Sequence, residues 1–186
     1  MALGDTTVIA DVTQMLDTML TDAALDVTED SPAELKGSTE TYAKINLYLY
    51  EVIENPHTKN QQWVTSVSDP DQQTYPPLAL NLYYLLTPYA SDAKSAHSVL
   101  GHAMRVFHDH SVIDKEELPA ALRLTTEQLT ISLCNLKLDD MTRIWNSLQT
   151  PYRLSVAYEV KIVQVESEIQ RTVSRVMDKR NEFYRK

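Results

Sequence analysis

Pro151-Tyr-Arg-Leu-Ser-Val-Ala-Tyr-Glu-Val160, continuing through Lys161-Ile-Val-Gln-Val165, carries the strongest periodic pattern in the chain. Tyr152, Leu154, Val156, Tyr158, Val160 and Ile162 alternate with Arg153, Ser155, Ala157, Glu159 and Lys161, the period-two pattern of a strand with one face in a core. At about 3.3 Å per residue these positions span roughly 36 Å, about twice an ordinary strand, which gives the segment the reach to pair beyond its own sheet. Val163 and Val165 then place apolar side chains on the opposite parity, which predicts a bulge or a change of pairing partner at this point.

Working outward from that strand, Met141, Ile144, Trp145 and Leu148 predict a short helix capped by Asp139 or Asp140. Leu129, Ile131 and Leu133 alternate with Thr130, Ser132 and Cys134 as a further strand. Ile113, Asp114, Glu117 and Leu118 match a capping box inside a hydrophobic staple, so Asp114 is expected to open a short helical turn. Ser91 is the expected N-cap of a helix running to about Asp109, with Ala93, Ala96, Leu100, Ala103, Met104 and Phe107 inward. Leu78 to Leu86 reads as a strand introduced by Pro76-Pro77 and closed by Pro88, and Ile45 to Ile53 as another, ended by Asn55-Pro56. His57 to Thr74 is polar and irregular in pattern, and Thr28 to Thr41, with Pro32 and Gly37, reads as a loop. Val8, Ile9, Val12, Met15, Leu16, Met19 and Leu20 form the stripe of an amphipathic helix from about Thr6 to Leu25. Beyond Glu168, Ile169, Val173, Val176 and Phe183 predict a thin-striped tail helix that orders on assembly.

The 186 residues suit one domain, 43% apolar and 23% charged, close to the globular average. The net charge of −9 is concentrated at one end: residues 1 to 35 carry eight acids and no base, while from Lys161 to Lys186 seven bases oppose four acids. Complementary docking between copies or onto a partner is one reading of that polarity; two solvated helix faces is the plainer one. The overall negative charge argues against nucleic acid. The first residues carry acids and no base, unlike an export signal, so cytoplasmic synthesis is expected. No apolar run approaches the roughly 20 residues that span a bilayer, so no membrane role is expected.

Catalytic and cofactor signatures are sparse. Gly4, Gly37 and Gly101 are the three glycines, too far apart for a phosphate-cradling loop, and Cys134 is the single cysteine. His97 and His102 lie five apart, about 140° around a helix, off the shared face that two metal ligands need. His108-Asp109-His110 reads as solvated helix-end residues, with adventitious metal capture as the sharper alternative. Neither a catalytic residue, a cofactor nor a metal is assigned.

Four blocks then look familiar together: Pro76-Pro-Leu-Ala-Leu-Asn-Leu-Tyr-Tyr-Leu-Leu86; His97-Ser-Val-Leu-Gly-His-Ala-Met104; Trp145; and Pro151 to Val160. With the opening helix, Leu47-Tyr-Leu-Tyr50 and Asn55, they resemble the cap, or tail-terminator, family of contractile injection systems, the phage-tail-like particles of the virulence-cassette and antifeeding-prophage type. The resemblance covers roughly residues 5 to 166. It implies an α/β fold of the α+β kind: a single domain with a mixed β-sheet flanked by helices, as in phage tail terminators. The domain expected is 1 to 166, with 167 to 186 as a C-terminal extension. The resemblance also implies a non-enzymatic particle component, a hexameric ring that ends inner-tube polymerisation, anchors the last sheath layer, and can leave the cell with the particle. Its partners would be further copies of itself, the tube protein and the sheath protein. Trp145, Tyr152, Arg153, Tyr158, Lys161, Val163 and Val165 are the interface residues expected, with core filling as the plainer reading of Trp145 and Tyr158. The open alternatives are another ring-forming tube or baseplate adaptor, a small hydrolase using a histidine between His102 and His110 with Asp109 or Glu117, and a monomeric binding module.

Overall fold

In the computed structural model, residues 7–35, 42–59, 61–66, 69, 71–124, 126–165 and 167–173 are described, Leu124 and Ile162 by backbone alone. Six strands form the main sheet in the order β1 (Val27–Thr28), β2 (Lys44–Glu54), β5 (Leu78–Tyr89), β8 (Val156–Val165), β7 (Gln128–Cys134) and β6 (Val112–Asp114). Every pairing is antiparallel except β1 with β2, so the sheet is mixed, as expected. Three short strands, β3 (Val64–Thr65), β4 (Gln72–Thr74) and β9 (Gln170–Thr172), form a second sheet.

One face of the main sheet is covered by helices α1 (Val8–Asp22) and α2 (Ala93–Asp109). The predicted stripe of α1 buries Val8, Val12, Met15, Leu16 and Leu20 against Leu47, Leu82, Tyr84, Leu86 and Val160 of the sheet. Each such side chain contributes about 1.5–3 kcal/mol. Tyr84 is fully buried, and its hydroxyl reaches Thr13 Oγ1 at 2.8 Å, which fixes α1 to the central strand. Helix α1 ends where Leu25 N–H donates to Leu20 O and Ala24 takes a φ of 59°, a Schellman-type stop without the usual glycine. The N-cap of α2 is Asp92 rather than Ser91: its carboxylate accepts from Ser95 N (3.0 Å) and Ser95 Oγ (2.6 Å).

Helix α3 (Leu138–Ser147) covers part of the other face, where Met141 and Trp145 pack on Leu85 with Tyr50, Ile144 and Leu148 alongside. Lys137 is its N-cap, so Asp139 and Asp140 stand in the first turn, where carboxylates oppose the positive helix end without capping it.

Several expectations are corrected. Pro88 lies inside β5, opposite Ile45, rather than closing it. Ile45 N–H points to Asp26 O, away from β5, so the pair needs no bond from residue 88. The backbone of Pro88 therefore faces the β8 side, where β8 reaches only as far as Leu86, and the missing donor costs no ladder bond. The strand predicted from Tyr152 begins at Val156, and Tyr152 to Ser155 lead into it without pairing. The loop expected from Thr28 begins one residue later, at Glu29, because Val27–Thr28 is β1. The segment 57 to 74 holds β3 and β4, and β6 precedes the turn at Asp114, whose carbonyl accepts from Glu117 and Leu118 N–H. The tail helix is not found over its described part. Residues 170 to 172 are strand, and 174 to 186 lie outside the described residues.

The parity switch is a bulge. Leu82 pairs with Val160 and Leu80 with Val163, so Lys161 and Ile162 together oppose Asn81. A second bulge falls at Tyr50, between the pairs Leu49–Tyr84 and Glu51–Tyr83; Tyr50 lies on the face of Leu85, beside the α3 cluster, and the residues after it change parity.

Candidate assembly surface

The two sheets are one ribbon. Strand β4 runs through Tyr75-Pro76-Pro77 into β5, and β9 follows β8. The pairs Gln72–Thr172 to Thr74–Gln170, the bond from Tyr75 N–H to Ile169 O (2.9 Å) and, after a one-residue slip in register, the pair Leu78–Val165 follow one another in the same antiparallel sense. Pro76 and Pro77 carry no N–H and interrupt it. With β3 beside β4, the result is a three-stranded arm leading out of the β2-β5-β8 centre of the sheet. Arg171 stacks its guanidinium 4.0 Å above the Trp63 ring and donates twice to Gln73 Oε1, and Tyr75 meets Trp63 edge-on at 5.3 Å. At the root of the arm, a groove of about 670 Å³ is lined by Tyr75, Pro77, Leu78, Val165 and Ile169, with Glu54 and Lys59 paired at 3.0 Å on its rim.

The residues expected at an interface divide by depth. Trp145 (1% exposed), Tyr158 (4%) and Val163 (0%) are buried in this chain. Trp145 Nε1 donates to Ser155 Oγ (3.0 Å), which donates to Arg153 O (3.2 Å), so the indole holds the segment before β8 in place. Tyr158 meets Phe107 edge-on at 5.1 Å, and burial raises its hydroxyl pKa. Val165 is half-buried at the groove. Tyr152 and Arg153 are exposed: the Tyr152 ring lies against Trp145 at 6.4 Å, and the Arg153 guanidinium stands 4.7 Å over Tyr89.

Lys161 belongs to a polar cluster that the sequence pattern does not reveal. Glu159, its side chain 15% exposed, accepts from Asn81 Nδ2 (2.8 Å) and Tyr83 Oη (2.8 Å) on Oε1 and pairs with Lys161 Nζ (3.1 Å) on Oε2. Asn81 Oδ1 in turn accepts from Asn55 Nδ2 at 3.2 Å. The carboxylate is thus ringed by donors, the condition under which a charge is tolerated where its own side chain is only 15% exposed. Burial first, then the hydrogen bond and charge of Glu159, push the Tyr83 hydroxyl up to about 12. The only signals in the sequence are the polar Asn81 inside an apolar run and Glu159 on the polar parity of its strand.

Cys134 lies half-buried on the same face, and burial followed by the field of Glu159 pushes its thiol up to about 11. A raised pKa leaves less thiolate at neutral pH. Alkylation by iodoacetamide at pH 8 is therefore expected to run about 100-fold slower than for an unperturbed cysteine, and to reach the normal rate on unfolding in urea. A rate equal to that of free cysteine in the folded protein contradicts this placement.

The histidine alternative finds little support in the geometry. His108 lines a groove of about 550 Å³ beside α2 with Arg105, Ser111 and Ser132, and no carboxylate shares that lining. Among the described residues, no group of three or more His, Cys, Asp or Glu is placed to hold a metal. No described helix is long and apolar enough to cross a membrane.

A family model described as Pvc16 N-terminal domain matches residues 7–179. A solved structure of an extracellular contractile injection system, the PVC sheath/tube terminator in its extended state, superposes with a TM-score of 0.70 over 99% of this chain at 16% identity. The anti-feeding prophage cap, a tube-terminating cap, superposes with a TM-score of 0.63 over 94% at 16% identity. This chain spans 65% and 61% of those two chains, so it matches about two thirds of their length. At such identity the likeness establishes the fold, a helix-flanked mixed sheet of the terminator kind. No curated protein matches the chain.

Proposed function

The chain belongs to the Pvc16 N-terminal domain family, and from that premise we propose that it is a structural tail terminator of a contractile injection particle. The observation that carries the reading is the family match over residues 7–179, with nearly the whole chain superposing on a sheath/tube terminator. On this reading, copies close into a hexameric ring on the end of the tail, stop growth of the inner tube and anchor the last sheath layer. The chain is made in the cytoplasm and leaves with the particle. It performs no catalysis and engages neither nucleic acid nor membrane. Residues 1 to 166 carry the terminator body, and 167 to 186 extend it toward neighbours.

The interface roles follow from depth. Tyr152, Arg153 and Lys161 have surface to offer a partner. Trp145, Tyr158, Val163 and Val165 act by holding those residues and the bulge in place.

Light scattering of the purified chain, alone and with the tube and sheath subunits of the particle, tests the reading. A mass near six times 21.2 kDa, or stable capture by those subunits, is expected. A chain that stays monomeric and binds neither subunit overturns it.

A further inference from the structure

We propose that copies of this chain join strand to strand: the outer edge of β9 in one copy pairs with the outer edge of β2 in the next. The inference rests on the ring reading above and assigns the surfaces that close the ring. Among the described residues, strand β2 has a ladder neighbour on its outer side only at Ile45 and Asn46, where β1 pairs with it. Ile45 N–H donates outward to Asp26 O (2.8 Å), and Asn55 N–H donates inward to Ala79 O (2.8 Å). Alternation on either side of the Tyr50 bulge therefore turns the backbone groups of Leu49, Val52 and Glu54 outward, where no ladder partner stands among the described residues. On the opposite side of the ribbon, Ile169 O accepts from Tyr75 N–H and Val173 N–H donates to Asp71 O (2.8 Å), so Gln170 and Thr172 turn theirs outward in the same way. A row of free N–H and C=O groups is matched by another extended backbone and by little else.

Charge selects the partner. The β2 edge carries the exposed Glu51, with Glu54 at its end paired to Lys59, and β9 carries the exposed Arg171, which rests on Trp63 and Gln73. Two β2 edges brought together antiparallel set carboxylates against each other, whereas β2 against β9 sets unlike charges together. The two edges lie on opposite sides of one ribbon, so each copy offers one and accepts the other. That is a head-to-tail contact, the kind that closes a ring, whereas a self-matching edge stops at a dimer. The contact also covers Val52 and Ile53, which are 43% and 42% exposed on the β2 edge.

The test uses the full chain with Val52→Pro and, separately, Thr172→Pro. Each removes an outward N–H that the chain's own ladder does not use. Both variants are expected to keep the wild-type circular dichroism and urea midpoint while the ring mass falls to the monomer, with at least about a tenfold rise in the concentration needed to assemble. Glu51→Lys is expected to weaken the ring likewise, and Glu51→Lys combined with Arg171→Glu to restore it. Folded proline variants that retain the full ring mass overturn the strand pairing and leave the terminator reading intact. If the proline variants unfold, Glu51→Lys decides, and an unchanged ring overturns the proposal. A wild-type chain that neither assembles nor binds tube or sheath removes both readings.

Discussion

Trp145→Ala is expected to lower the folding free energy by about 3–5 kcal/mol, the range for an aromatic side chain removed from a packed core. The indole is 1% exposed and is the largest of the fully buried side chains. It packs on Leu85 and Met141, and its Nε1–H is the donor to Ser155 Oγ. Nothing nearby can collapse easily into the space, because Leu85 is held in the central strand and Met141 belongs to the same short helix. Domains of this size have about 5–15 kcal/mol in total, so the variant should be partly unfolded at modest urea. Urea denaturation followed by circular dichroism measures the loss. Trp145→Phe separates the two contributions: it restores most of the volume, lacks the N–H, and is expected to cost about 1–2 kcal/mol. A loss below about 1 kcal/mol for the alanine variant would show that α3 is not seated on the sheet as described. The segment Tyr152 to Ser155 depends on this seat, so if copies close into the ring proposed above, Trp145→Ala should weaken that assembly even where the chain remains folded.

Glu159→Ala has the second-largest expected effect, about 2–3 kcal/mol, for a different reason. Little volume is lost, but Asn81 Nδ2, the Tyr83 hydroxyl and Lys161 Nζ all lose the acceptor they share. A covered donor without an acceptor retains its desolvation cost, and hydrogen bonds to a charged group are worth more than neutral ones. Glu159→Gln keeps the shape and one acceptor oxygen, and should cost about half as much. Tyrosinate absorbance between pH 9 and 13 supplies a second readout. Burial first, and Glu159 second, push the Tyr83 hydroxyl up to about 12. Removing the carboxylate should therefore bring that titration part of the way down toward 10. The sign for stability follows: a hydroxyl whose pKa is higher folded than unfolded contributes fully below pH 10, and that contribution fades as pH rises through about 12. An unchanged tyrosine titration in Glu159→Ala would contradict the cluster.

Local pattern was enough for much of the architecture. The stripe of α1, the alternation in β5, β7 and β8, and the parity change at Val163 all follow from periodicities of 3.6 and 2, which depend only on neighbouring residues, and each is found; the alternation expected in β2 holds as far as Leu49, and the Tyr50 bulge then turns Ile53 to the face opposite Ile45, Leu47 and Leu49. The resemblance carried by Pro76 to Leu86, His97 to Met104, Trp145 and Pro151 to Val160 likewise needed no coordinates, since it rests on residue identity in order. Capping was less legible. Ser91 and Asp92 are both good caps by type, and only the backbone angle at Asp92, with its bond to Ser95, chooses between them. Asp139 and Asp140 are good caps by type, yet the helix begins earlier, at Leu138, with Lys137 in the cap position.

What the sequence could not contain is which strands stand beside which. Strands β3, β4 and β9 are two or three residues long, too short to show a period, and their pairing joins Gln73 to Arg171 across most of the chain. The arm, the groove at its root and the free edges of β2 and β9 therefore exist only in the tertiary structure. The same holds for the Glu159 cluster, whose members are brought together by register: Tyr83 faces Glu159 because β5 and β8 pair there, and Lys161 turns to the same carboxylate beside the bulge. The types and apolar faces of the longer elements, and the family, follow from the residues alone, because these are local properties or matters of residue identity. Tertiary structure alone decided which of the expected interface residues are buried and which edges remain open, because depth and pairing depend on non-local contacts that no local pattern encodes.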